Sequence, residues 1–170
     1  MSTTILLLSD THYLEWKEVH KEIKDLMHTV DITIHCGDYT RLAVIKGLQN
    51  HSRRFVGVHG NSDPIEIRKM LPYIKIILVE DLRLGIIHPA WGGPPFDPTE
   101  LVDDFPGTLD VIFFGHSHEL LDKKYNGIRY VNPGQGYSSF GVQGTVALIT
   151  CQRGDLSVQF LRLNEDANNE

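Results

Sequence analysis

Ile5-Leu6-Leu7-Leu8 runs straight into Ser9-Asp10-Thr11-His12, and this junction decides the fold. Four apolar residues without interruption read as a strand covered on both faces, because a half-buried strand would alternate. The same arrangement recurs four times. Ile32-Thr33-Ile34-His35-Cys36 leads into Gly37-Asp38, and Phe55-Val56-Gly57-Val58 into His59-Gly60-Asn61. Leu84-Gly85-Ile86-Ile87 ends at His88, and Val111-Ile112-Phe113-Phe114 runs into Gly115-His116-Ser117-His118. Each strand thus ends in Asp, Asn or His, side chains that bind metal. In α/β sheets ligands bind outside the carboxyl ends of the strands. The strand ends converge there, which lets these side chains share one site.

Helical signals separate the strands. Leu14, Val19, Ile23, Leu26 and Met27 give residues 14–28 the spacing of an amphipathic helix, and 41–49 read as a second. Asp63-Pro64 reads as an N-cap with proline at the first helical position, opening a helix over 65–71. Residues 73–79 and 83–88 are β runs about a turn at Glu80-Asp81, and 97–105 form a short helix on Asp97-Pro98. Residues 120–125, 128–131, 145–151 and 156–163 read as hairpins turned at Asn126-Gly127 and Arg153-Gly154-Asp155. The order is βαβαβα followed by a mostly β half.

The 170 residues suit one domain, 1–170, with a polar tail from Asn164 that frays. A hydrophobic share of 41% against 22% charged is that of a globular chain. No apolar run approaches the roughly 20 residues of a membrane span, and the first residues lack the basic start of a signal peptide. Cys36 and Cys151 have no partner motif, which argues against a disulfide framework and for a reducing cytoplasm. The net charge of −6 argues against long nucleic acid or an anionic membrane as partner. A small anionic substrate remains compatible, because bound metal reverses the local field.

Asp10, His12, Asp38, Asn61, His88, His116 and His118 are the candidate metal ligands. They are too many for one ion and suit two divalent ions with a bridging carboxylate. Asp10 and His12 lie two residues apart, as do His116 and His118, a spacing that puts side chains on one side of an extended chain. Gly37, Gly60 and Gly115 each precede a ligand, where glycine permits a sharp turn and close approach. Imidazole and carboxylate without thiolate favour manganese, with iron, zinc, nickel or cobalt as alternatives. Two such ions polarise both oxygens of an in-line displacement at phosphorus.

Asp-x-His, Gly-Asp, Gly-Asn, His and Gly-His-x-His, in that order from Ile5 to Gly134, resemble the calcineurin-like metallophosphoesterases. The short chain and Gly60-Asn61-Ser62-Asp63 are similar to their small bacterial and archaeal phosphodiesterase branch. The resemblance implies an α/β (α+β) fold: a four-layer α-β-β-α sandwich of two mixed sheets flanked by helices. It implies Asp10, His12 and His118 on one metal, Asn61, His88 and His116 on the other, and Asp38 bridging. It further implies a phosphodiesterase, favoured over a monoesterase, in which a metal-bridging hydroxide attacks phosphorus in line. Asp38, Asn61 and His88 would then act catalytically by holding the hydroxide and orienting the phosphate.

Several positions depart from the pattern. Ser62 stands where larger members carry a histidine, so the general acid is unassigned, with His59 a candidate and water an alternative. Pro89 replaces a common glycine and begins the Trp91 loop, read as a lid over the site. Gln135 replaces a common serine. These changes are expected to affect substrate preference and leave the metal ligands alone. The rival expectation is a non-enzymatic protein-binding scaffold on the same fold, like the retromer coat subunit; a complete ligand set favours the enzyme. Of the remaining histidines, His35 is expected to be a satisfied core residue and His20, His28 and His51 to be solvated. Exposed hairpin edges would allow pairing into a homo-oligomer.

Overall fold

A computed structural model describes residues 1–90 and 96–164. Trp91 and the end of the polar tail lie outside the described residues. Among the described residues, ten strands form two mixed five-stranded sheets. The first is built from β1 (Thr3–Leu8), β2 (Ile32–His35), β3 (Phe55–Gly57), β9 (Thr145–Gln152) and β10 (Asp155–Arg162), in the order β10-β9-β1-β2-β3. The second takes β4 (Ile74–Val79), β5 (Leu82–Ile87), β6 (Val111–Phe114), β7 (Leu120–Tyr125) and β8 (Ile128–Pro133), in the order β4-β5-β6-β8-β7.

The uninterrupted apolar character of β1 has a simple cause. Ile5 and Leu7 face the second sheet, in a core with Ile34, Val56, Leu84, Ile86, Val111 and Phe113. Leu6 and Leu8 face the opposite way, under α1 (Lys21–Met27) and α2 (Leu42–His51), among Ile23, Met27, Val44, Ile45 and Leu48. Ile67 of α3 (Ile65–Met70) joins that layer. The outer face of the second sheet is covered by a 3-10 helix, Pro98–Asp104, through Leu101 and the adjoining Phe105 packed on Ile112, Phe114 and Tyr130. The four expected layers are present, with the thinnest helical layer on the second sheet.

Two helical expectations are corrected. The stretch 14–28 is not one helix: a 3-10 turn, Trp16–Glu18, precedes α1, and the chain extends between them at Val19 and His20. The Glu18 side chain accepts from the Leu14 and Glu15 amides, closing the first piece, and His20 Nδ1 accepts the Glu22 amide at 3.2 Å, opening the second. His20 is therefore a buried cap, 5% exposed, and not a solvated residue. At α3 the N-cap position is Pro64 with no side-chain cap, because Asp63 is engaged elsewhere. No helix among the described residues is long and apolar enough to cross a membrane.

Candidate metal centre

Strands β1, β2 and β3 run parallel in one sheet, and β5, β6 and β8 in the other. Their carboxyl ends carry Asp10 and His12, Asp38, Asn61, His88, His116 and His118. Backbone bonds lace the ends together. The Asp10 amide donates to Gly37 O, the His12 amide to Asp38 O, and the Gly136 amide, after β8, to Ser9 O.

The local backbone differs from the extended reading. Asp10, His12, Asp38, His116 and His118 have φ of 50°, 49°, 62°, 79° and 59°. These are left-handed conformations that cost a non-glycine residue about 1 kcal/mol or more each. These candidate ligands therefore leave left-handed turns and not an extended chain. Two glycines make room: a Cβ on Gly60 would lie 2.0 Å from Asp38 Oδ1, and one on Gly115 1.9 Å from Ser9 Oγ.

The side chains present lone pairs to one another. His88 Nδ1 donates to Cys36 O at 2.7 Å, so Nε2 turns its lone pair inward. That atom lies 2.9 Å from Asn61 Oδ1, 3.4 Å from Asp38 Oδ2 and 3.9 Å from Asp10 Oδ1. His116 Nδ1 meets the same Asn61 Oδ1 at 2.9 Å. His118 Nδ1 faces Gln135 Oε1 at 3.2 Å, which directs Nε2 to Asp10 Oδ1 at 3.1 Å. Gln135 is fixed in that sense because its own amide donates to Tyr137 O. His12 Nε2 stands 3.7 Å from Asp38 Oδ2 and 3.9 Å from Asp10 Oδ1. Asp10 Oδ1 and His12 Nε2 are both buried without a hydrogen-bond partner among the described residues.

Two sets of donor atoms close enough to hold an ion result: Asp10, His12 and His118, and Asp10, Asp38 and His88. Oxygen and nitrogen lone pairs gathered without donors repel unless a cation lies among them. The buried orphan atoms and the thiolate-free donor set thus fit divalent transition metal.

Electrostatics agree. Burial alone would raise the Asp10 carboxyl. His118, His12, the charge of His88 and the Ser9 hydroxyl outweigh it and hold the group well below the usual carboxylate range. The Asp10 carboxylate, 3.1 Å from Nε2, raises His118 against a smaller burial effect. His35 is, as expected, a satisfied core residue. Nδ1 accepts the Gly37 amide, Nε2 meets Thr11 Oγ1 at 3.0 Å, and burial pushes its pKa down to about 3.

Several supporting residues escaped the sequence. Asp63, 2% exposed, accepts the Asp38 and Gly60 amides on Oδ2 at 3.0 and 2.7 Å and the Thr40 amide on Oδ1 at 2.8 Å. It ties the Asp38 turn to the Asn61 turn. Ser9 Oγ donates to Asp10 Oδ2 at 2.5 Å, and the His116 amide donates to the same oxygen at 3.0 Å. Asn132 Nδ2 holds Ser117 Oγ at 3.0 Å, between the two late histidines. The signal for Asp63 was its place in the Gly-Asn-Ser-Asp stretch and that for Asn132 its Asn-Pro-Gly motif, whereas nothing in the sequence spacing marked Ser9. Gln135 corrects an expectation, for it touches a ligand instead of leaving the metal site alone. His59 is half-buried beside Tyr73, ring centroids 6.0 Å apart, and no described contact joins it to the ligand cluster. The lid reading of Trp91 falls outside the described residues.

The calcineurin-like phosphoesterase superfamily domain matches residues 3–154. The chain belongs to that superfamily. Relatives in Methanocaldococcus jannaschii include the probable metallophosphoesterase MJ0623, 32% identical over 131 residues, which are 75% of this chain and 65% of that protein. The chain therefore matches just under two thirds of that relative's length. The phosphodiesterase MJ0936 is 28% identical over 142 residues, 76% of this chain and 81% of its own. Among solved structures, Thermotoga maritima protein TM1076 is 32% identical with a TM-score of 0.75, covering 95% of this chain and 99% of that one. Chaetomium thermophilum Vps29 is similar in fold, with a TM-score of 0.79 at 22% identity, over 99% of this chain and 91% of Vps29.

Proposed function

We propose that the protein is a metal-dependent phosphodiesterase, holding two divalent transition ions, manganese favoured, and acting on a small phosphate ester in the cytoplasm. One observation carries the reading: carboxylate and imidazole atoms from both sheets converge closely enough to hold ions, and two of them, Asp10 Oδ1 and His12 Nε2, are buried without a hydrogen-bond partner among the described residues. Asp10, His12 and His118 would hold one ion, Asn61, His88 and His116 the other, with Asp38 between. When bound, such a pair polarises a phosphate and lowers the pKa of water towards neutrality.

The chain's own residues supply position. Cys36 O fixes the His88 ring and Gln135 fixes the His118 ring. Hydrolysis forms a bond from a water oxygen to phosphorus, breaks the opposite ester P–O bond, and transfers the water proton to the departing alkoxide. Solvent is assigned the delivery of that proton, and His59 is the side chain to test. The scaffold alternative rests on likeness of fold to Vps29 alone, whereas all seven ligand positions here are filled.

Metal content of protein purified without chelator, with hydrolysis of bis(4-nitrophenyl) phosphate in added manganese, tests the proposal. About two ions per chain and metal-dependent turnover are expected, with both Asp38→Ala and His118→Ala inactive. A chain that takes up no metal and shows no turnover would refute it, as would full activity in either variant.

A further inference from the structure

Beside His118 and Gln135 opens a cavity of about 430 Å³, bounded also by Leu120, Val142, Gln143 and Arg162. It shares a wall with the metal centre, since the His118 ring that faces Asp10 through Nε2 also lines the cavity. Its size falls in the range that takes small organic ligands. Acidic residues outnumber basic ones 22 to 16 in the whole chain, yet among the described residues no carboxylate lines this cavity. Its cation, Arg162, is exposed at the end of β10 and has no carboxylate partner among the described residues.

The rim carries a second unusual feature. Ser139 and Val142 exchange two backbone hydrogen bonds of 2.9 Å around Phe140-Gly141. Both turn residues have positive φ, 49° at Phe140 and 79° at Gly141. Turns of this type favour Asn or Asp in the first position. Here a phenylalanine takes it and stands fully exposed at 105%, next to the cavity-lining Gly141 and Val142. An exposed aromatic ring presented on a hydrogen-bonded two-residue turn is a stacking surface, and stacking tolerates any base. A guanidinium with no carboxylate partner among the described residues suits a phosphate.

We propose that this cavity is the subsite for one organic arm of the substrate diester, and that the arm it takes is a nucleoside bearing a second phosphate. The base lies against Phe140 and Val142, and the second phosphate meets Arg162. The inference rests on the phosphodiesterase reading above.

The test uses manganese-loaded protein and three chromogenic diesters: methyl 4-nitrophenyl phosphate, thymidine 5′-(4-nitrophenyl phosphate), and the latter with a 3′-phosphate. The expected kcat/KM rises in that order. Arg162→Gln should lower it about tenfold for the 3′-phosphorylated substrate only. Phe140→Ala should lower it about fivefold for both thymidine substrates and leave the methyl ester unchanged. Calorimetry with thymidine 3′,5′-bisphosphate should show Arg162→Gln weakening binding by the same factor. Turnover of the methyl ester with no nucleoside preference, or with variants indistinguishable from wild type on any substrate, overturns the subsite and leaves the phosphodiesterase reading intact. Equal bisphosphate binding in wild type and Arg162→Gln overturns it as well. Absence of turnover on all three substrates overturns the activity, and the inference with it.

Discussion

Asp63→Asn should weaken metal binding and stability together, although Asp63 is not a metal ligand. Its carboxylate receives three backbone amides, from Asp38, Gly60 and Thr40, within 2.7–3.0 Å. An amide of the same shape offers one acceptor oxygen and one NH2. With the oxygen kept towards Asp38 and Gly60, the NH2 meets the Thr40 amide donor to donor. Two charge-assisted bonds become neutral, a loss of about 1 kcal/mol each, and one donor is orphaned at about 1–3 kcal/mol. The sum is about 3–5 kcal/mol, enough to lower Tm by about 10 °C without unfolding a typical domain at 25 °C. Asp38 and Thr40 sit in left-handed conformations, φ 62° and 68°, which this carboxylate holds in place. Once the turn relaxes, Asp38 Oδ2 moves relative to His88, and manganese affinity should fall about 10- to 100-fold. Urea denaturation and calorimetric manganese titration measure the two effects. A variant within about 1 kcal/mol of wild type, or one with unchanged metal affinity, would refute the claim that Asp63 sets the Asp38 turn.

Gly115→Ala would drive a Cβ to 1.9 Å from Ser9 Oγ and 2.8 Å from Asp10 Oδ2. It should cost about 1–3 kcal/mol by overpacking and displace Asp10, and unaltered melting together with unaltered metal uptake would contradict that geometry. Chelator added to protein holding metal at about 1,000 times its Kd should remove about 4 kcal/mol, a fall in Tm of about 10 °C, read by scanning calorimetry. In metal-free protein, His35 with a pKa of about 3 stays neutral while the unfolded chain protonates below the ordinary value of 6.5. Its contribution is therefore full above the ordinary value and falls by about 1.4 kcal/mol per pH unit as pH drops towards 3. His35→Gln should flatten the measured stability slope between about pH 4 and 6 by that amount, and equal slopes would exclude a buried neutral imidazole.

Much of the site was readable because each ligand follows an apolar run, and both marks are local. The run Ile5–Leu8 announced a strand buried on both faces, and Asp10, His12, Asp38, His88 and His118 do come together at the strand ends. What resisted reading depends on partners distant in the chain. Helical spacing from Leu14 to Met27 says nothing of His20 Nε2 meeting Asn164 O at 2.8 Å, which helps bury the residue that divides the helix. Asp63 looked like a cap because Pro64 follows it, but two amides from the Asp38 loop and one from Gly60 hold it more strongly than one helix end could. Gln135 looked like a substrate-facing change because only the fold reveals His118 beside it. Sheet membership was equally hidden: β9 and β10 share a sheet with β1, although β7 and β8 lie closer to them in sequence.

The donor atoms are divided between the two sheets. Asp10, His12, Asp38 and Asn61 follow strands of one, and His88, His116 and His118 follow strands of the other. An ion held by both groups is a rivet through the sandwich, resisting any slip of one sheet over its neighbour. Load then passes in both directions. A void opened deep between the sheets, at Phe113 for instance, would be felt as a weaker grip on metal, and the metal in turn would stiffen a hydrophobic core that it never touches.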